Sequence, residues 1–254
     1  MNISGNTIFI PGATSGIGLA LALELSAKGN TVIVGGRRAE LLQQIAAEHA
    51  ALKTVVIDTA NAESVAHTSA HVIAEYPEVN VLVTMAGIMR VEDWTTPGGA
   101  LASAEEIVTT NLLGPIRLIA AFSEHLLGRP DATIMTVTSG LAYTPLQATP
   151  TYNATKAGIH MLSETLRLQF ANTSVRFLEL VPPSVATDLL PGQRESAFAM
   201  PLEDFITEVV SLIEADPEAH QILVERVGFL RFSEARGDYA QTVATLNNLD
   251  PHGK

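Results

Sequence analysis

Seven short apolar runs recur along this chain, each followed by a longer stretch of helical periodicity, and that alternation limits the fold more than any other feature. The runs lie at residues 7–10, 31–34, 54–57, 79–83, 133–137, 175–180 and 221–224. They lack polar alternation, as strands covered on both faces do. Helical patterns fill the gaps at 17–27, 39–49, 62–75, 103–127, 152–171 and 202–215, and another follows at 233–246. This order predicts an α/β fold: a doubly wound parallel sheet of about seven strands, right-handed crossovers and helices on both faces. No Pro-, Gly- or Ser-rich linker and no repeat interrupts the chain, so residues 1–254 read as a single domain. The longest stretch without periodicity, 188–200, follows a strand, where such folds place ligands, and reads as a substrate loop.

Composition narrows the function. Hydrophobic residues make up 47 % of the chain and charged residues 17 %, enough to bury a full core. The net charge of −12 and the lack of any Lys/Arg cluster argue against nucleic acid as a partner. With no cysteine, thiolate nucleophiles and Cys-based zinc sites are excluded. The opening Met1-Asn2-Ile3-Ser4-Gly5-Asn6 is not patterned as a signal peptide, and no run of about 18 apolar residues predicts a membrane span. A cytoplasmic protein without membrane partners is expected.

Two local patterns carry chemistry. Gly12-Ala13-Thr14-Ser15-Gly16-Ile17-Gly18 joins the first strand to the first helix. Its glycines permit a tight turn and close approach of the backbone to a pyrophosphate, which the N–H groups at the helix start can bind. Further on, Tyr152 and Lys156 stand four residues apart at the start of a helix and share one face. A phenol of pKa about 10 is a poor proton carrier at neutral pH, and a neighbouring ammonium favours its ionised form. Ser139 ends the preceding strand, where a hydroxyl can reach a bound carbonyl.

Together these residues resemble the short-chain dehydrogenase/reductase family in its single-domain, Rossmann-type form. The resemblance extends over nearly the whole chain through Asp58, Ala86-Gly87, Asn111 and the run Pro182-Pro183-Ser184-Val185-Ala186-Thr187. It implies that Tyr152 is the acid/base and that Ser139 hydrogen-bonds the reacting oxygen. Lys156 would bind the nicotinamide ribose and lower the tyrosine pKa, and Asn111 would hold a helix kink and a water linking Lys156 to solvent. The turn residues Gly12, Thr14, Ser15, Gly16, Ile17 and Gly18 would hold the cofactor, with Asp58 at the adenine. Ala86, Gly87 and Pro182 would add contacts, and Val185 and Thr187 would meet the carboxamide. Pro11, Thr84-Met85 and Pro183 depart from the family's usual Thr, Asn-Asn and Gly. The resemblance also implies a homodimer or homotetramer built on the helices at 103–127 and 152–171.

The second strand ends Val34-Gly35-Gly36-Arg37-Arg38. NAD enzymes usually place a carboxylate there for the ribose 2′-hydroxyl. Here Gly36 fills that slot and Arg37 follows, with Arg38 and Ser15 at hand, so NADP is the expected cofactor, with NADPH preferred over NADH. The expected function is reduction of a small-molecule carbonyl, or oxidation of a secondary alcohol. A non-catalytic NADP(H)-binding sensor or scaffold is the alternative, and isomerase or dehydratase chemistry through Asp188 or Glu195 a third reading. Met89, Trp94 and Tyr143 are pocket candidates, as are Leu189, Leu190, Phe198 and Met200 in the loop. His125 and His160 read as packing or interface residues. His67 and His71 are four apart on a polar helix face, and no metal is expected there.

Overall fold

The computed structural model describes residues 1–249, so the last five residues of the expected domain, 250–254, lie outside the described residues. Strands β1 (Thr7–Pro11), β2 (Thr31–Gly36), β3 (Leu52–Val56), β4 (Val79–Thr84), β5 (Ala132–Val137), β6 (Val175–Leu180) and β7 (Gln221–Ile222) all pair in parallel. Their order is β3-β2-β1-β4-β5-β6-β7. The winding reverses between β1 and β4, which opens a crevice at the carboxyl ends of those strands.

Strand periodicity divides the interior into two cores. Ile8, Ile10, Val32, Val34, Val81 and Val83 pack against α1 (Gly16–Ala27), α2 (Ala39–Glu48) and α7 (Leu202–Ala215). The intervening Phe9, Ile33, Leu82 and Ile134 face α3 (Ala62–Glu75) and α5 (Gly114–Leu127) on the other side. Phe9 and Phe122 meet there, their ring centroids 5.6 Å apart. Burying a side chain of this size contributes about 1.5–3 kcal/mol. Both faces of the sheet are thus apolar, which is why its strands read as unbroken hydrophobic runs.

The expected helix at 103–127 is instead α4 (Leu101–Val108), a π turn at Thr109–Leu113 and α5. Asn111 sits in that turn, with Oδ1 accepting from the Ile88 amide and Nδ2 donating to the Ile88 carbonyl, each at 2.8 Å. This side chain replaces a peptide partner for the chain beyond β4 and locks the widened turn in place. Helix α6 (Pro150–Gln169) starts on a proline, and the Glu92 carboxylate accepts from the Thr151 amide at 2.9 Å. The expected C-terminal helix breaks at Gly237, whose φ of 78° suits a left-handed cap. The pieces are α9 (Ser233–Arg236) and α10 (Tyr239–Leu249), preceded by the short α8 (Gly228–Arg231). The last expected strand pairs only over Gln221–Ile222, and β3 begins and ends earlier than its apolar run.

At the amino ends of the strands, a side-chain clasp ties three of them together. Asn6 Nδ2 donates to Asn30 Oδ1, and Asn80 Nδ2 donates to Asn6 Oδ1, both at 3.0 Å. Pro11 costs no ladder bond to β4, because that pairing ends at Phe9. No helix among the described residues is long and apolar enough to cross a membrane.

Gly12 sets the spacing at the crevice. Its φ is 92°, and a Cβ there would lie 2.4 Å from the Ala86 Cα. Gly12→Ala therefore meets both a left-handed backbone and a backbone clash. It should destabilise the fold by about 2 kcal/mol or more, read as a lower urea midpoint. A midpoint equal to that of the unaltered protein would contradict the close-approach account.

Candidate active site

The crevice is a polar cleft of about 460 Å³. Gly12, Ser15, Gly16, Ile17 and Gly18 line one end of it, with Arg37 and Arg38 beside them. Gly87, Ser139, Tyr152, Lys156, Pro182, Val185 and Thr187 line the rest. The sequence therefore brings residues from the ends of β1, β2, β4, β5 and β6 to one place. Three expected cofactor residues stand outside the lining. Thr14 packs its methyl against Gly36, Ala86 backs Gly12, and Asp58 accepts from the Ala60 amide in its own turn at 3.0 Å. Asn111 lies behind Gly87, close to Lys156: a Cβ on Gly87 would be 3.5 Å from Asn111 Oδ1 and 3.7 Å from Lys156 Nζ.

The cleft suits a dinucleotide. Helix α1 begins at it with no acidic residue in its first turn, and no side chain caps its free N–H groups. Arg37 and Arg38 are exposed and make no ion pair among the described residues. A side chain at position 36 would have to displace the Thr14 methyl, since a Cβ there would fall 2.3 Å from Thr14 Cγ2.

A second, mainly apolar pocket of about 280 Å³ adjoins the cleft. Ser139 and Tyr152 line both cavities. Met89, Leu189, Leu190 and Phe198 also line the pocket, as their positions predict. Three other expectations fail. Trp94 is half exposed and lines neither cavity. The Tyr143 hydroxyl turns away to His160 Nδ1, at 3.0 Å, and to Glu179 Oε1, at 3.2 Å. Met200 is buried, bridged to Val185 at the base of the loop rather than covering the pocket. Sequence reasoning missed Arg226, Phe229, Leu230, Leu246 and Leu249, which complete the pocket from the C-terminal segment. The available signal was the apolar spacing of Leu246 and Leu249, three residues apart on one helix face.

Burial governs the two central ionisable groups. It pushes the Tyr152 phenol up to about 12, against the opposing pull of a hydrogen bond with Ser139. It draws Lys156 down to about 8. Lys156 Nζ donates to the Val137 carbonyl at 2.8 Å and lies 5.5 Å from the Tyr152 ring centroid. The expectation that the lysine lowers the tyrosine pKa is therefore outweighed in this state by desolvation. Ser139 Oγ accepts from the Leu141 amide at 3.1 Å, which orients the hydroxyl at the junction of the cavities.

His67 and His71 lie exposed on α3. His160 Nδ1 and the Glu164 and Glu179 carboxylates come within 4.8 Å of one another, but both carboxylates already hold protein donors.

Residues 6–197 match the family model described as short chain dehydrogenase. A relative from Bacillus subtilis, the uncharacterized oxidoreductase DltE, is 34 % identical, covering 98 % of this chain and 100 % of its own length. A short-chain dehydrogenase from Burkholderia cenocepacia, solved with NADP, superposes with a TM-score of 0.78 at 24 % identity, over 97 % of this chain and 99 % of that one. An alcohol dehydrogenase from the archaeon Thermococcus sibiricus, solved with 5-hydroxy-NADP, gives 0.77 at 24 % identity, over 86 % of this chain and 95 % of that one. The family match runs from the glycine turn through the Tyr152 helix, and the Bacillus relative extends it to full length: the chain belongs to the short-chain dehydrogenase/reductase family of oxidoreductases.

Proposed function

We propose that this protein is an NADP(H)-dependent carbonyl reductase or secondary-alcohol dehydrogenase with Tyr152 as its acid/base. The observation that carries the reading is the seam: Ser139 and Tyr152 stand where a polar, arginine-bearing cleft meets an apolar pocket. A nicotinamide in the cleft supplies the hydride to a carbonyl carbon, or accepts it from an alcohol. Tyr152, its pKa raised to about 12, holds its proton at neutral pH and can donate it to the carbonyl oxygen. Ser139 hydrogen-bonds that oxygen, so polarisation needs no metal. Lys156, with a pKa near 8, remains mostly charged at neutral pH and serves the ribose hydroxyls beside the phenol. The Asn111 anchor on Ile88 keeps the π turn, and so the back of this site, in register.

The NADP assignment rests on Arg37 and Arg38 and on Gly36 standing where a carboxylate would favour NAD, and it agrees with the ligands of the two structural relatives. Isomerase or dehydratase chemistry would need a further acid/base group in the pocket. Glu195 lines neither cavity, and Asp188 lies on the cofactor side, paired with Arg194. Self-association, common in the family, is supported by the exposed Leu113 and Ile116 and by Met161 and Leu168 on α6.

Three outcomes are expected. Tyr152→Phe lowers turnover of a ketone by about 10²–10⁴-fold while NADPH binding, followed by fluorescence titration, stays close to that of the unaltered protein. Retention of full turnover would remove Tyr152 from the reaction. Arg37→Ala lowers kcat/KM for NADPH by about tenfold or more and leaves NADH nearly unaffected, because only the 2′-phosphate loses a charged partner. A native preference for NADH in steady-state competition would refute the arginine assignment. Finally, segment 188–200 acts as a lid. Its base is fixed by the Val185–Met200 bridge and by Gln193 Nε2 donating to the Val185 carbonyl at 2.7 Å. Its remainder carries Leu189, Leu190 and Phe198 over the pocket. Hydrogen exchange in 188–198 should slow when NADP and a substrate analogue are bound together; equal protection with and without ligands would identify a static loop.

A further inference from the structure

Eleven arginines punctuate the sequence. Among the described residues, eight of them hold a carboxylate, a carbonyl or an amide oxygen. The other three are Arg37, Arg38 and Arg226. The first two line the cofactor cleft, and Arg226 lines the apolar pocket. A guanidinium left without an internal partner at each cavity is the pattern expected where the anion is supplied by a ligand.

Among the described residues that line the pocket, Arg226 alone carries charge, and the walls are otherwise mainly leucine, phenylalanine and methionine. Its backbone is held on both sides. The Glu225 amide donates to Glu208 Oε1 at 2.6 Å, and Val227 is fully buried, its amide donating to the Val224 carbonyl at 3.0 Å. The side chain is exposed and open to a ligand, while its backbone is anchored by these neighbouring bonds. This wall lies beyond residue 197, where the match to the family model stops.

We infer that the substrate is an amphipathic carbonyl compound whose apolar body fills the 280 Å³ pocket and whose anionic end group is bound by Arg226. The inference rests on the reductase reading above. The chemistry is that of a medium-chain oxo-acid: the ketone stands at Ser139 and Tyr152, methylenes lie along the leucines, and a carboxylate reaches the guanidinium. Reduction leaves a hydroxy-acid of the same charge. One carbonyl carbon gains the hydride, its oxygen gains the Tyr152 proton, and the nicotinamide is oxidised.

The probes are oxo-octanoate with its ketone at the penultimate carbon, its methyl ester, and the unreactive pair octanoate and octanamide. The acid should exceed the ester in kcat/KM by about tenfold, a preference that shrinks with added salt. Arg226→Gln should bring the acid-to-ester ratio close to one, and Arg226→Glu should turn the preference toward the matching amine-terminated ketone. Octanoate should outbind octanamide in calorimetry on the protein saturated with NADP, and Arg226→Gln should erase that difference. An acid-to-ester ratio near one in the unaltered protein, or a preference that survives Arg226→Gln, would overturn the inference. If octanoate binds selectively through Arg226 but neither ketone is reduced, the anion site stands and the reductase reading falls. If both ketones react equally and octanoate binds no better than octanamide, the reductase reading stands and the anion site falls.

Discussion

The contact between Gly12 and Ala86 fixes the geometry on which the polar cleft depends. With 2.4 Å between a would-be Cβ and the Ala86 Cα, the turn after β1 lies directly on the chain leaving β4. A larger residue at position 12 would force apart the two strands between which the crevice opens. The same turn continues through Gly16, where a Cβ would come within 3.3 Å of the Thr187 methyl, and so brings the segment after β6 against the start of α1. Gly18 lets that helix close on Ala13. Close backbone packing, together with backbone hydrogen bonds such as that from the Gly12 amide to the Gly35 carbonyl at 2.8 Å, gathers the strand ends into one cleft and points the free N–H groups of α1 into it.

Burial then decides the electrostatics. Tyr152 and Lys156 are both almost fully covered, and desolvation moves their pKa values in opposite directions, the phenol up to about 12 and the ammonium down to about 8. Each shift favours the neutral form of its own group. At neutral pH the phenol carries its proton and the lysine most of its charge, the resting state that the proposed role of Tyr152 as proton donor requires. Forming phenolate for alcohol oxidation costs more here than for a tyrosine in water. The orientation of Lys156 toward the Val137 carbonyl holds the cation near the phenol without a direct hydrogen bond between them.

Much of this was legible in the sequence because it follows from periodicity and spacing. Unbroken apolar runs gave the parallel sheet, and the Gly12/Gly16/Gly18 spacing placed the turn at its switch point. The separation of Tyr152 and Lys156 put both on the face of α6 that meets the cleft. What stayed hidden depends on distant contacts. The π turn exists because Asn111 finds the Ile88 peptide, a partner 23 residues away that no local pattern reveals. Thr14 belongs to the glycine turn but packs on Gly36, so it supports the cofactor slot without lining it. A helix over 233–246 was readable, but that the segment from Arg226 to Leu249 walls the pocket was not, because only tertiary packing brings these short helices to Ser139.

That packing has its own electrostatic root. Glu179, fully buried on β6, would be costly if unpaired, and burial alone would raise its pKa. Donors from Thr138 at 2.6 Å, Gln221 at 2.7 Å and His160 at 2.9 Å instead hold its pKa below the usual carboxylate value. Gln221 in turn accepts from Arg231 at 3.1 Å, and the Arg231 guanidinium lies 4.3 Å from the Tyr143 ring centroid. The carboxylate thereby links the residue before Ser139, helix α6, β7 and α8 in one network. Next to this network, a Cβ on Gly140 would fall 2.7 Å from the Leu230 side chain. The pocket wall therefore rests directly on the turn that follows Ser139. A buried charge that lines neither cavity thus ties Thr138, whose neighbour Ser139 stands at both cavities, to the elements that carry the pocket wall.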